Sequence, residues 1–492
     1  MIKILRILLW DSEIGYLAWQ NGEAYFVYNQ SFLSADIEPF PLPAPKSRGH
    51  LFKFTAEEER KYQHLPAFIA DSLPDDWGNT LFEQWAKEQH LSENDITALD
   101  KLAFIGRRGM GALEFMPERS PLMKNEHVDI GALANLAQKI QNQRENLTIL
   151  PSESLTMQML LAVGTSVGGR QAKAVLAINP QTGEIRSGQV APPAGFLHYI
   201  LKFGIAERST AELEMTYYDM ARQAEIDMMP CRLWEVEGTK HFITERFDRK
   251  DSTKIHTQTL AAMDPDANSY EKLLLVCRKL RLPDSCECEV FRRMVFNYFT
   301  NNTDDHNKNF SFLMNTKGEW SLSPAYDLTF IFNNGGYQPE PRHCLMLRGK
   351  YTDWTKEDAL EFAKSLNIRR PGVIIDQIAE VAARFRSLAT QRGVAPEWIG
   401  RIESVINRHL AEWGYIVVPE LSWTTKEGHI FGEVSLSQAY KGAIQLHANV
   451  DGNRKRFVFS KNSAEAQMMV QAGIANIPKE TLQEWAEKYL LK

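Results

Sequence analysis

The chain has 492 residues, 44% of them hydrophobic and 24% charged, an ordinary globular composition on a chain too long for one core. Roughly two to four domains are expected at about 100–200 residues each. The formal net charge of −6 gives no basic field to draw the protein onto nucleic acid or an anionic membrane. Five cysteines, with no second pair at zinc-site spacing beside Cys286-x-Cys288, argue against a structural metal and fit reduced cytosolic thiols. No apolar run approaches the ~18 residues of a membrane span, so a cytoplasmic protein with no membrane partner is expected.

In chain order, "MIKILRILLW" reads as a first β-strand, because its apolar run is short and a charged segment follows. Residues 1–120 form a small strand-and-helix domain. It holds a hairpin at Gln20-Asn21-Gly22, the proline-rich "PFPLPAP", and helices from Ala56 to Leu102 interrupted by a capping loop, "DSLPDDWGNT". The glycines of "FIGRRGMGALEF" match neither a dinucleotide fingerprint nor Walker A and read as turn formers. An amphipathic helix over 127–147 fills a linker, 121–152. Residues 153–262 are strand-rich: a glycine turn (164–169), the strands "AKAVLAINP" and "HYILKFG", a helix around Glu212–Ala224, then "RLWEVEG" and "KHFITERFD". Residues 263–418 are mostly helical, and 419–492 alternate strands and then helices in a small extra domain. A strand-rich lobe followed by a larger helical lobe predicts a two-lobed α+β architecture.

Within the helical region "NNTDDHNKNFSFL" crowds ligand-type side chains against apolar ones. A calcium loop starting at Asp305 is excluded, because an EF-hand needs Gly and Glu where Phe310 and Thr316 stand. A phosphotransfer site fits better. That chemistry needs a base beside the acceptor hydroxyl, oxygen ligands for magnesium and a cationic cradle for phosphates. Asp304 and Asn309 have the D-x-x-x-x-N spacing, and a β-hairpin from "FSFLM" to "WSLS" returns Asp327 of "LSPAYDLTF" to the same place. Upstream, the glycine turn of "GTSVGGRQAKAVLAI" offers backbone N–H groups to phosphates. Lys202, near a strand end, is either a snorkelling edge residue or a phosphate-binding lysine, and Glu214 on the next helix either pairs with it or faces solvent. His306 is either a structural hydrogen-bonder or a ligand contact.

The segments "SVGGRQAK", "ILKF", "ERFDR", "NNTDDHNKNFSF" and "LSPAYDLTF", in this order and spacing, resemble the HipA toxin kinases over roughly residues 1–415. "DSLPDDWGN" and "FIGRRGMGALEF" resemble the amino-terminal domain of that family. The resemblance implies a protein-kinase-like fold related to the phosphoinositide kinases, with a small N-terminal α/β domain and, from 419, a C-terminal extension that has no counterpart. It implies Asp304 as catalytic base and Asn309 and Asp327 as magnesium ligands. It further implies Val167, Gly168, Gly169, Arg170, Gln171, Lys173, Lys202 and His306 at ATP, with Glu245, Arg246 and Phe247 lining the adenine pocket and Ser166 as an autophosphorylation site. The chain departs from the pattern at Ala172, where an acidic residue is usual, and at Asp305, where glycine is; the second carboxylate either perturbs Asp304 or faces away.

The function so implied is an ATP- and Mg²⁺-dependent serine/threonine protein kinase, the toxin of a type II toxin–antitoxin system. Its partners would be a protein substrate such as an aminoacyl-tRNA synthetase and a small helix-turn-helix antitoxin, with operator DNA reached only through that antitoxin. The alternatives are a pseudokinase that partners a DNA-binding antitoxin and a small-molecule kinase.

Overall fold

The computed structural model describes residues 2–20, 23–53, 62–92, 96–119, 128–142, 154–164, 171–189, 194–250, 253–332, 339–417, 423–438, 443–472 and 477–491. The first unit is an antiparallel sheet of β1 (Ile4–Leu9), β2 (Ser12–Gln20), β3 (Glu23–Tyr28), β4 (Leu51–Lys53) and β5 (Leu113–Met116), in the order β4-β3-β2-β1-β5. In β1 the period of two puts Leu5, Ile7 and Leu9 into the core, and Gln20 pairs with Glu23 across the hairpin. Among the described residues the sheet is accompanied by the α-helices α1 (Gln30–Leu33), α2 (Ala67–Ala70), α3 (Asp76–Glu88) and α4 (Ala98–Ile105). The expected capping loop caps α3, where the Asp75 carboxylate accepts from the Gly78 N–H at 2.8 Å.

Next come α5 (Ile130–Asn142) and α6 (Ser154–Val163), then β6 (Lys173–Ile178), β7 (Ile185–Ser187), β8 (Leu197–Lys202), α7 (Thr210–Gln223), β9 (Cys231–Val236) and β10 (Thr239–Glu245). These strands form a second antiparallel sheet, β7-β6-β8-β10-β9. Helix α5 is no free tether between domains. Its Leu133, Leu136, Ala137 and Ile140 are buried in one cluster with Trp77, Leu81 and Phe82 of α3 and with Leu176, Leu201 and Ile243 of the sheet. An apolar helical stripe must find a partner surface, and here that surface is the back of the second sheet. The N-terminal unit and the strand-rich unit therefore share a core.

The helical unit opens with β11 (Arg249–Lys250), β12 (Thr253–Lys254) and β13 (His256–Thr259). It continues through α8 (Leu260–Met263), α9 (Tyr270–Lys279), α10 (Asp284–Thr300), β14 (Ser311–Met314) and β15 (Trp320–Leu322). It closes with α11 (Lys356–Ser365), α12 (Pro371–Ala382), α13 (Phe385–Arg392) and α14 (Pro396–Glu412). Strands β14 and β15 form the expected hairpin, with β13 on the other side of β14. The N-terminal unit also grips this region. Asp71 accepts from the Thr259 N–H and hydroxyl at 2.8 and 2.6 Å, Gln258 donates to the Phe68 carbonyl at 3.2 Å, and Trp10 donates to the Lys254 carbonyl at 2.7 Å.

The C-terminal sheet comprises β16 (Tyr415–Val417), β17 (Trp423–Thr424), β18 (Ile430–Gln438), β19 (Ile444–Val450) and β20 (Asn453–Phe459). It is followed by α15 (Ala464–Ala472) and α16 (Lys479–Leu490). Its first strand precedes the boundary expected at 419, since β16 pairs with β18 while Tyr415 packs in the core of the helical unit. His447 and Arg454 of this unit each reach Glu380 on α12 at 2.8 Å. Among the described residues no helix is long and apolar enough to cross a membrane.

Candidate active site

Helix α10 ends at Asn301, which takes the left-handed conformation (φ 53°) as its C-cap. Asn tolerates that region better than most residues, as such a cap requires. The loop that follows is held from inside. Asp305 is 1% exposed and accepts from the Tyr270 hydroxyl at 2.7 Å, the Cys344 N–H at 2.7 Å and the Leu345 N–H at 3.4 Å, with His343 Nδ1 at 2.9 Å. Asn297 donates to the same Tyr270 oxygen at 3.0 Å, and Asn302 donates to Asn297 at 2.8 Å. The second carboxylate of the Asp-Asp pair thus faces away from the first and fastens the loop to residues 343–345.

Asp304 points the other way, with its side chain 52% exposed and His306 Nε2 at 3.7 Å. Asn309 Nδ2 donates to the Asp304 carbonyl at 2.8 Å, which closes the loop and leaves the amide oxygen for another partner. The hairpin behind brings the chain back. The Tyr326 hydroxyl donates to the Lys308 carbonyl at 2.8 Å and lies 2.6 Å from Ser311 Oγ, so the residue before Asp327 is bolted to the loop. Asp327 itself has φ 58°, a left-handed backbone uncommon outside glycine and costly enough to need support from its surroundings.

That support is a charged cluster under the second sheet. The Lys202 ammonium at the end of β8 contacts the carboxylates of both Glu214 on α7 and Asp327. Burial alone would favour a neutral amine at Lys202, but Asp327 and Glu214 outweigh it and hold the lysine charged beyond its ordinary range. Burial likewise pushes Asp327 up, yet Lys202 and Lys173 more than reverse this and lower its pKa. For Glu214 burial wins over Lys202 and the pKa is raised. Neither Lys202 nor Glu214 faces solvent, and the two pair.

Lys173 is the register partner of Lys202 across β6 and β8, is 2% exposed, and lies 3.8 Å from Asp75. Gln171 donates to the Phe203 carbonyl at 2.9 Å, and Ala172 is fully buried in the shared core, where an acidic side chain would lose its hydration. Ser166, Val167, Gly168, Gly169 and Arg170 lie outside the described residues. Phe247 packs on Tyr326 with ring centroids 5.4 Å apart, and Glu245 ends β10 half-exposed, its carboxyl raised by burial.

Arg246 is not brought to this cluster. Its fully buried guanidinium makes two 2.8 Å bonds to Asp248, and Asp248 also accepts from the Gly111 N–H at 2.7 Å. Arg249 donates to the carbonyls of Gly109 and Gly111, each at 3.1 Å. The "ERFDR" segment and the glycine turn of "RRGMGA", far apart in sequence, are two halves of one buried joint. Gly111 has φ +74° there, and a Cβ would stand 2.9 Å from the Thr257 nitrogen. Asp75 is the residue that reading the sequence missed. Its only signal was the capping-loop pattern, which says nothing about a lysine about 100 residues on.

Among the described residues no group of three or more His, Cys, Asp or Glu side chains is arranged around a metal ion. The donors available are hard oxygens, the Asn309 amide oxygen and the Asp327 carboxylate, which suit a magnesium-like ion. Asp304 is an exposed carboxylate, and the ammoniums of Lys202 and Lys173 are buried.

Two family models match the chain in this order: the HipA N-terminal domain over residues 5–116 and the HipA-like C-terminal domain over residues 165–388. The chain belongs to the HipA family. Among curated relatives it is 25% identical over 415 residues, 78% of this chain and 92% of the other, to a Sinorhizobium fredii protein named "Putative kinase Y4mE". It is 23% identical over 341 residues, 61% of this chain and 97% of the other, to a Haemophilus influenzae protein named "Putative kinase". Its fold is that of HipA from the toxin–antitoxin system of Shewanella oneidensis, solved with HipB and its operator DNA. That match has a TM-score of 0.58 at 16% identity and covers 83% of this chain and 96% of the other.

Proposed function

We propose that the protein is an ATP- and Mg²⁺-dependent serine/threonine protein kinase, the toxin of a type II toxin–antitoxin pair. The observation that carries this reading is the contact of one buried strand lysine, Lys202, with a helix glutamate, Glu214, and with Asp327 on the returning hairpin. A lysine held charged by two carboxylates in this way is suited to meet phosphate oxygens. The family membership and the kinase names of the relatives support the same reading.

In this reading Asp304 orients the acceptor hydroxyl and takes its proton on the exposed carboxylate. Lys202 neutralises charge that develops on the phosphates, and Lys173 adds a second ammonium beside it. Asn309 and Asp327 would hold magnesium, which when bound would offset phosphate charge. Phe247 and the backbone around Glu245 and Arg246 would border the adenine, while Val167 to Arg170 would cover the nucleotide, with Ser166 open to self-modification and His306 beside the phosphates. A helix-turn-helix antitoxin of the HipB kind would be the partner, and a translation component such as an aminoacyl-tRNA synthetase the target.

The test is incubation with γ-labelled ATP and Mg²⁺, comparing wild type with Asp304→Gln and Asp327→Ala. Label on the chain or on a cellular protein that vanishes in both variants supports the kinase. Tight ATP binding by wild type without any transfer would sink it in favour of a pseudokinase.

A further inference from the structure

One buried pair joins the N-terminal unit to this site. The turn "LPDDWG" leads into α3, and two of its residues meet the same lysine. Trp77, fully buried, donates its indole N–H to the Lys173 carbonyl at 3.1 Å. Asp75 reaches the other end of that residue, with Oδ2 at 3.8 Å from the Lys173 ammonium. The two Asp75 oxygens divide the work, since one carboxylate oxygen caps α3 through the Gly78 N–H. Oδ2 is buried and has no hydrogen-bond partner, so what it faces is the positive charge.

The need for that charge follows from register. Lys173 and Lys202 stand opposite each other on β6 and β8, where like charges on paired strands repel. Lys202 has Glu214 and Asp327 against it. For Lys173, Asp75 exerts the largest favourable effect of any charge, with Asp327 the next.

We propose that Asp75 is a positioning residue of the nucleotide site: it holds Lys173 beside Lys202, so that the N-terminal unit completes the cationic cradle. This rests on the kinase reading above. Asp75 touches neither substrate nor metal and acts through Lys173. Burial pushes its carboxyl up to about 6 against the pull of Lys173.

The test uses the full chain with Asp75→Asn, Asp75→Glu and Asp75→Ala. Asn is as good an N-cap as Asp, so Asp75→Asn removes the charge and keeps the helix cap. The expected result is binding of Mg·ADP about tenfold weaker by calorimetry, and a KM for Mg·ATP raised by a similar factor with kcat changed less than about threefold. Its melting temperature should stay within a few degrees of wild type. Asp75→Glu should recover most of the affinity, and Asp75→Ala should lose both affinity and stability. Unchanged Mg·ADP affinity in Asp75→Asn, or a loss that only tracks melting and that Asp75→Glu does not restore, overturns the proposal. Nucleotide binding by wild type without phosphotransfer would refute the kinase while leaving the role of Asp75 to stand or fall on the calorimetry. Wild type that binds no Mg·ADP overturns both.

Discussion

The adjacent carboxylates Asp304 and Asp305 offer a sharp comparison, because they have the same chemistry and opposite surroundings. Asp305→Ala removes the acceptor for the Tyr270 hydroxyl, the His343 ring and two backbone N–H groups. Tyr270 is fully buried and His343 is 4% exposed, so their polar atoms cannot turn to water. Each buried donor left without a partner costs roughly 1–3 kcal/mol. The four share one acceptor and relax together, so a total of about 4 kcal/mol is expected rather than their sum. Asp304→Ala removes a side chain that is 52% exposed with His306 Nε2 at 3.7 Å, and should change stability by less than about 0.5 kcal/mol. Urea unfolding followed by tryptophan fluorescence measures both. Phosphotransfer should be lost in both variants, in Asp304→Ala without any shift of the unfolding midpoint. Equal midpoint shifts for the two variants, or an Asp305→Ala shift under about 1 kcal/mol, would refute this division between a reactive and a fastening carboxylate.

Lys202→Met leaves the buried Glu214 without its cation and removes one of two ammoniums acting on the partly exposed Asp327, which should cost about 3 kcal/mol at pH 7.5. A carboxyl with a raised folded pKa prefers its protonated form in the native state, so the penalty grows as pH rises. Glu214 is already raised, and unfolding at pH 5.5 should therefore show a smaller loss than at pH 7.5; equal losses would contradict the cluster. His256 is buried with its pKa lowered to about 4. The stability it contributes is fully present above its unfolded value near 6.5 and is lost as pH falls toward 4. At pH 5 the loss is about 2 kcal/mol, so His256→Gln should show a flatter acid dependence of its urea midpoint. Gly111→Ala places a Cβ 2.9 Å from the Thr257 nitrogen at φ +74°, and should destabilise by roughly 1–3 kcal/mol. Gly183, at φ +72° with nothing within 4 Å, is the control for the backbone cost alone.

Much of the candidate site's local geometry was legible because its parts lie close together in the chain. The D-x-x-x-x-N spacing, the hairpin that returns Asp327, and a lysine ending an apolar strand all lie within short segments whose periodicity fixes their geometry. The capping loop and the alternating strands were legible for the same reason. What stayed open at Lys202, Glu214 and Asp305 concerned which way a side chain faces, and that depends on neighbours distant in the chain. Arg246 shows the limit most clearly. Its motif marks the segment, but burial against Asp248 and Gly111 takes the guanidinium out of the site.

By itself, then, the sequence determined the order of elements, the family pattern and the residue types able to carry phosphotransfer, since these rest on spacing, turn chemistry and hydrophobic period. Only the tertiary structure decided that the helix expected as a linker is part of a core, that Asp305 fastens the loop, and that Asp75 stands at Lys173. Each of those depends on burial against a surface about 35–110 residues away in the chain, and removing water from a charge or an apolar stripe is a property of that surface and not of the segment.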